Sequence, residues 1–198
     1  LCGLWSVLCQ LRPDCTYIFK GLNTRIKVVK ARKTDVQITD PSQWNSSGEQ
    51  VEIFKFLYFT GARLAEIAGL QAEDLLDDRI LIRPNASRPL KSDSSARSIP
   101  IHPRLKSLSI ELRERKGLLW PAQYQESNKR WGVNLSKPCR KIVGITPKGF
   151  RDRAATILRA HNMNEAVVVT LLGHTPNSIS MAYGATPWSE LKRAVNLL

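Results

Sequence analysis

Residues that bind metals or form disulfides are scarce in this chain of 198 residues, which narrows the chemistry it can carry. It contains three histidines and four cysteines, and no two cysteines form a C-x-x-C pair. A zinc site or a disulfide framework is therefore not expected. Cysteines without such a pattern are typical of a reducing compartment, so we expect reduced thiols and a cytoplasmic protein.

Acidic residues are few relative to basic ones. Asp and Glu number 17 against 30 Lys and Arg, which leaves a formal net charge of +13. A basic surface can serve solubility alone. An excess of this size nevertheless favours a polyanionic partner such as nucleic acid, because neutralising phosphates releases their counterions.

The chain also has no apolar run of membrane-spanning length at its start. The opening segment, Leu1–Leu11, is apolar but too short to cross a bilayer, and it lacks the basic stretch of a signal peptide. We expect no membrane association and interpret this segment as the end of a helix that belongs to something larger. Six basic residues follow and indicate either a strand against a phosphate backbone or a solvated linker: Lys20, Arg25, Lys27, Lys30, Arg32 and Lys33.

Capping residues and apolar periods predict a mainly helical chain. Proline, in one case after a capping acid, indicates helix starts at Asp40-Pro41, Pro103 and Thr146-Pro147. Gly61 and Gly173 are typical of helix ends. The predicted helices begin near residue 40 and cover residues 49–59, 64–70, 103–116, 123–137, 146–162 and 164–172, a short stretch from 176, and 188–197.

Strand signals are confined to the middle of the chain. An apolar run at Ile80–Ile82 predicts one strand, and residues 88–91 are expected to pair with residues 96–101 around the polar turn 92–95. The expected fold class is therefore α+β, mainly helical, with a small three-stranded antiparallel sheet.

Several basic side chains occur where a phosphate could be held. Arg63 follows a predicted helix end, with Glu66 one turn later, and Lys148 and Arg151 are spaced to share one face of the first turn of a helix. Arginine suits a phosphate because its planar guanidinium donates to two oxygens and stays charged. His174 comes just after another helix end.

These segments together resemble the tyrosine recombinases, the phage-integrase type of DNA-cleaving enzyme. The segment Thr60–Leu70 (T-G-A-R-L-A-E-I-A-G-L) is similar to the family's first box, and residues 90–101 are similar to its lysine hairpin. K-G-F-R at 148–151, L-L-G-H at 171–174 and then Tyr183 follow in the family's order and spacing. The resemblance covers about residues 40 to 198, and five matches in order make it specific.

The resemblance implies a role for each matched residue. Tyr183 is the nucleophile, and Arg63 and Arg151 bind the scissile phosphate, with His174 as a hydrogen-bond donor. Lys91 is the general acid for the leaving 5′ oxygen, and Glu66 supports the site by orienting Arg63 or Lys148. The family most often has histidine where this chain has Lys148, and lysine is a poor base at neutral pH, so we expect Lys148 to bind phosphate.

The residues taken alone leave other interpretations open. Arg63 and Arg151 could be ordinary surface arginines, Lys91 a solvated hairpin lysine, and His174 a capping or core histidine. Tyr183 could pack in the core with Met181 or Trp188. Asp152 is expected to form a local ion pair with the neighbouring Arg151.

The family's organisation implies further expectations. Residues 1–39 would be the remnant of an N-terminal core-binding domain with a basic linker, and residues 40–198 the catalytic domain. The partner would be double-stranded DNA, bound by a homotetramer on paired sites, with a monomer when free. The last helix either docks on a neighbouring protomer or packs on its own domain.

The implied reaction is site-specific cleavage and rejoining of DNA through a 3′-phosphotyrosyl intermediate, in integration or excision. It requires no cofactor and no metal, and no set of carboxylates of the kind that two-metal nucleases need accompanies these residues. Three alternatives stay open: a type IB topoisomerase that relaxes DNA, a degenerate relative that binds DNA without cutting, and a basic module that binds RNA or protein.

Overall fold

The computed structural model describes residues 38–90, 95–174 and 185–198. Within them lie seven α-helices, which are α1 (Glu49–Thr60), α2 (Leu64–Ala68), α3 (Lys106–Arg113), α4 (Ser136–Val143), α5 (Pro147–Ala160), α6 (Glu165–Leu172) and α7 (Trp188–Asn196). The same residues contain four strands, β1 (Arg79–Ile82), β2 (Arg97–Pro100), β3 (Tyr124–Gln125) and β4 (Arg130–Trp131). This confirms the predicted fold class, a mainly helical α+β domain.

Helix α1 is the centre of the hydrophobic core. Its apolar residues occur on every side rather than in one stripe, and eight of its twelve residues are buried. A helix that is apolar all round must be covered on all sides. Helix α5 packs along it, where Phe150 lies within aromatic contact of Phe54 and Tyr58. The prediction of a buried helix over residues 49–59 is confirmed.

The sequence predicted a sheet of three strands, but two strands form it in the described part of the chain. Strands β1 and β2 pair antiparallel, with Ile80 opposite Ile99, and no described residue from 88 to 90 belongs to a strand. Arg88 explains the difference, because its guanidinium is buried and donates to the carbonyls of Glu66 and Arg83. The backbone at Asn85 and Arg88 turns tightly on itself instead of extending.

The predicted helix over residues 123–137 is wrong for most of its length. Short strands β3 and β4 form a second two-stranded sheet here, with brief 3₁₀ turns at Glu126–Asn128 and Val133–Leu135, and only Ser136 and Lys137 are α-helical, at the start of α4. Lys129 and Gly132 both have positive φ angles, which a continuous helix does not allow. The rings of Tyr124 and Trp131 lie across the strand pair at 4.9 Å.

The helix starts predicted at residues 40 and 103 both begin as 3₁₀ turns, and only the second continues into an α-helix. Asp40 caps a 3₁₀ turn, Pro41–Gln43, and the chain then leaves the helical conformation at Trp44. Pro103 likewise begins a 3₁₀ turn that leads into α3, which ends at Arg113 rather than near residue 116. Proline sets the first φ angle in both cases, but continuing a helix needs further residues that favour it.

The last helices follow the prediction closely. Helix α5 begins at Pro147, the side chain of Asn164 caps α6, and Gly173 ends α6 in the left-handed conformation. Helix α7 buries Leu191, Ala194 and Val195, and it packs on α6 and β2 of its own chain. Of the two arrangements left open for the last helix, the structure has the one in which it packs on its own domain. The short helix predicted from residue 176 lies outside the described residues.

None of the described helices is long and apolar enough to cross a membrane.

Candidate active site

The candidate site forms where the ends of three helices meet. Arg63 lies between α1 and α2, Arg151 lies in the first turns of α5, and His174 follows Gly173, the residue that ends α6. Arg151 donates from Nη1 to the carbonyl of Gly61 at 3.2 Å, and Arg63 donates from Nη2 to the carbonyl of Gly173 at 2.8 Å. These bonds hold the two arginines and the segment before His174 together, although they are far apart in the sequence.

Glu66 is the buried acid of this site, with 4% of its surface exposed. One carboxylate oxygen accepts from Arg63 Nη1 at 2.6 Å, and the other accepts from the backbone N–H of Arg63 and from Arg97 Nη2, both at 2.9 Å. Burial opposes ionisation, but the charge of Arg97 and the hydrogen bonds from Arg97 and Arg63 outweigh it and keep the pKa of Glu66 below its usual value. Glu66 therefore orients Arg63, one of the two partners predicted for it.

Arg97 is a member of this cluster that the sequence prediction did not single out. Its guanidinium also donates to the carbonyl of Leu171 and to that of Ser95, both at 2.8 Å. The alternation of side chains along β2 is the sequence signal that could have identified Arg97. Arg97 and Ile99 share one face of β2, and Ile99 is fully buried, so the side chain of Arg97 points inward.

Arg151 keeps an unused donor. Its Nη2 atom is buried and has no hydrogen-bond partner among the described residues. Burial, and after it the neighbouring charge of Arg63, lowers the pKa of Arg151 to about 10. The guanidinium therefore stays charged at neutral pH, and it is ready to donate to an anion.

His174 is held neutral near physiological pH. Burial is the main cause that lowers its pKa, followed by the positive charges of Arg151 and Arg63. A neutral imidazole carries one N–H, so His174 can donate a hydrogen bond without adding to the charge of the cluster. Its backbone N–H donates to the carbonyl of Val169 at 3.0 Å, which fixes the residue at the end of α6.

Lys148 is the most exposed of the predicted residues that the structure describes. Its side chain is 70% exposed, and Nζ lies 3.0 Å from Asp152 one turn further along α5. We expected Asp152 to pair with Arg151, and the structure shows it paired with Lys148. An exposed pair of this kind contributes little to stability, so Lys148 can exchange its partner for a phosphate at little cost.

Arg63, Lys148 and Arg151 line one cleft of about 310 Å³. The remaining walls of the cleft are mostly small or apolar, formed by Ala62, Leu64, Ser136, Thr146 and Pro147. Three cations around a cleft of this size make a site for an anion such as a phosphate group. Among the described residues, no group of three or more His, Cys, Asp or Glu could hold a metal ion. Lys91 and Tyr183, the other two predicted catalytic residues, lie outside the described residues.

The architecture is similar to that of solved integrases. An integrase from mycobacterium phage Brujita superposes with a TM-score of 0.60 at 13% sequence identity, over 85% of this chain and 60% of that one. The Tn1549 transposon integrase, solved in complex with a circular intermediate DNA, superposes with a TM-score of 0.50 at 16% identity, over 96% of this chain and 74% of that one. The chain has the integrase fold.

This integrase fold agrees with the family resemblance found in the sequence. The chain spans about 60% of the length of the phage integrase, so it corresponds to part of that protein. Neither the protein-family models nor the sequences of curated proteins give a match. The role of each residue in this integrase fold therefore has to be argued from the geometry of the site.

Proposed function

We propose that the chain is the catalytic domain of a tyrosine recombinase, which cleaves and rejoins double-stranded DNA at specific sites. One observation carries the proposal. Arg63, Arg151 and His174 come from three distant parts of the sequence and converge on one cluster, in which Arg151 has a buried donor without a partner among the described residues. A phosphate in the cleft would supply the missing acceptor and the negative charge that the cluster lacks.

In the proposed reaction, the Tyr183 hydroxyl oxygen loses its proton to water and attacks the scissile phosphorus, and the bond to the 5′ oxygen breaks. The products are a 3′-phosphotyrosyl link and a free 5′ hydroxyl. Arg63 and Arg151 bind the nonbridging oxygens, whose charge grows in the transition state, and His174 donates a further hydrogen bond. Lys91 gives its proton to the leaving oxygen, and Lys148 binds the phosphate from the exposed side of the cleft.

Rejoining reverses these steps. The 5′ hydroxyl of a second strand attacks the phosphotyrosine, and Tyr183 leaves, so the number of phosphodiester bonds is conserved and no external energy source is consumed. The formal charge of +13 and the DNA-bound state of the similar transposon integrase support double-stranded DNA as the partner. We propose a homotetramer on two paired sites as the active assembly. We also propose that residues 1–39 belong to a core-binding domain and its basic linker, and that residues 40–198 form the catalytic domain.

The test is trapping of the covalent intermediate on nicked suicide DNA, in which the 5′ hydroxyl product diffuses away. Integrase target sites selected from a random duplex library supply the substrate. We expect the wild-type chain to form a protein–DNA adduct that Tyr183→Phe abolishes. Tyr124→Phe is the matched control, because Tyr124 packs on Trp131 away from the cleft, and it should leave the adduct unchanged.

Other outcomes would contradict the proposal in different ways. An adduct that persists in Tyr183→Phe would overturn the assignment of the nucleophile. Relaxation of supercoiled DNA without site preference would indicate a topoisomerase, whereas duplex binding without any adduct would indicate a relative that does not cut.

A further inference from the structure

Arg97 is an arginine buried in the candidate active site, yet its hydrogen-bonding groups face protein rather than the cleft. Its side chain is 5% exposed, against 28% for Arg63. Each of its three guanidinium nitrogens has an acceptor, which are the carbonyl of Leu171, the carbonyl of Ser95 and the carboxylate of Glu66. Unlike Arg151, Arg97 therefore has no guanidinium nitrogen without a hydrogen-bond partner.

The backbone of Gly173 closes over the same guanidinium. A Cβ atom placed at Gly173 would collide with Nη1 and Cζ of Arg97, and Gly173 has a φ of +64°, which favours glycine. The residue before His174 is therefore packed directly on Arg97. This contact leaves no room for a DNA phosphate between the two.

The three acceptors belong to three parts of the site. Glu66 holds Arg63 through its other oxygen, and the Ser95 hydroxyl accepts from Arg63 at 3.2 Å. The carbonyl of Leu171 lies in the last turn of α6, where carbonyls lack helical partners and a cation is favourable. Arg97 therefore links the residues that orient Arg63 to the helix end that carries His174.

We propose that Arg97 is a positioning residue for phosphodiester cleavage, which binds Glu66 and the end of α6 and so holds Arg63 and His174 in place without contacting DNA. The inference rests on the proposed function. It assigns Arg97 a share in the chemical step but none in DNA affinity, because the groups that meet the phosphate are others. The charge of Arg97 is also the largest influence that favours ionisation of Glu66, so its loss raises the pKa of that carboxyl.

The experiment measures duplex affinity and the single-turnover rate of the Tyr183 adduct separately, for Arg97→Lys, Arg97→Met and Glu66→Gln. We expect Kd to stay within about threefold of the wild type for each variant, while Arg97→Met slows adduct formation on the order of ten- to a hundredfold. Arg97→Lys should recover part of that rate, because a cation remains beside Glu66. In Arg97→Met, the acidic limb of the pH–rate profile should move to higher pH, since Glu66 then protonates more readily.

Two further variants separate a positioning role from general damage. Arg97→Met combined with Glu66→Gln should be little slower than the slower single variant, because both changes break one linkage. Arg115→Lys is the matched control, since Arg115 forms a two-pronged pair with Glu52 at the opposite end of α1 from Arg63, and its rate should equal that of the wild type.

Failure of this inference is distinguishable from failure of the proposed function. A wild-type chain without a Tyr183-dependent adduct overturns the proposed function, and the inference falls with it. An active wild type with Arg97→Lys and Arg97→Met at the wild-type rate overturns the inference alone. A loss of DNA affinity as large as the loss of rate also overturns it, because Arg97 would then contact the DNA.

Discussion

At the scale of single residues, the candidate site is a balance between one buried carboxylate and several cations. Glu66 accepts from Arg63 and Arg97, so these two guanidinium groups are partly neutralised before any substrate arrives. The buried Nη2 atom of Arg151 has no hydrogen-bond partner in the described part of the chain, and burial, followed by the charges of Arg151 and Arg63, lowers the pKa of His174. The same cluster therefore contains both the ion pairs that hold it together and a donor that can bind an anion.

Gly61 determines how closely the elements of the site approach each other. It ends α1 with a φ of +62°, and a Cβ atom there would lie 2.6 Å from Cβ of Ala154 and 2.8 Å from Cδ2 of Leu172. We expect Gly61→Ala to lower the free energy of unfolding by about 2–4 kcal/mol, because left-handed strain and overpacking add.

Gly144 offers a matched control for this prediction. It also ends a helix with a positive φ, +85°, but nothing lies within 4 Å of the place where its Cβ would be. Gly144→Ala should cost only the backbone strain, about 1–2 kcal/mol. Urea unfolding of both variants measures the difference, and equal losses would show that packing at Gly61 is not tight.

At the scale of elements, α7 closes one side of the domain. Leu191, Ala194 and Val195 face α6 and β2, and the guanidinium of Arg79 from β1 lies over the ring of Trp188 with its carbon 4.4 Å from the ring centroid. Because α6 carries His174 at its end and β2 carries Arg97, α7 supports two elements of the site from behind.

Truncation of Leu191 tests this packing. We expect Leu191→Ala to destabilise the chain by about 2–4 kcal/mol, since it removes a buried side chain and leaves a cavity. Lys192→Ala, an exposed neighbour on the same helix, should stay within about 0.5 kcal/mol of the wild type. Urea unfolding at low and high protein concentration should give the same loss, and a loss seen only at high concentration would indicate that α7 docks on another protomer.

At the scale of the whole molecule, part of the basic excess lies beside the cleft. Lys137, Arg140 and Lys141 are exposed on α4, and none of them has an acidic partner within 4 Å among the described residues. Ser136, the first residue of the same helix, lines the cleft with Arg63 and Arg151. Helix α4 thus extends the positive charge of the candidate site over the surface.

This arrangement predicts a steep salt dependence of duplex binding. The affinity should fall linearly with salt on a double logarithmic plot, and Lys137→Ala and Lys141→Ala should each reduce the slope by about one phosphate contact. Lys106→Ala removes an exposed lysine from α3 and serves as the control, with the slope unchanged. Fluorescence anisotropy at several salt concentrations measures the slopes, and unchanged slopes for both α4 variants would contradict a role of this helix in DNA binding.

The sequence by itself determined those features that depend on neighbouring residues. Capping at Asn164, the proline start of α5 and the glycine end of α6 are local signals, and the structure has each of them. The ordered motifs also predicted the integrase fold. The helix expected over residues 123–137 failed because Lys129 and Gly132 take left-handed angles. The tilted contact between the rings of Tyr124 and Trp131 accompanies this turn, and no helical period in the sequence reveals it.

Only the tertiary structure decided how the candidate site is assembled. That Glu66 faces Arg63 and Arg97 together, that Asp152 pairs with Lys148, and that Arg88 is buried instead of continuing a strand all depend on contacts between distant segments. The number of residues between such segments does not give their distance in space, because burial of the hydrophobic core brings α1, β2 and α6 together. The basic residues of the site could therefore be selected from the sequence, whereas their division into phosphate-facing and supporting arginines could not.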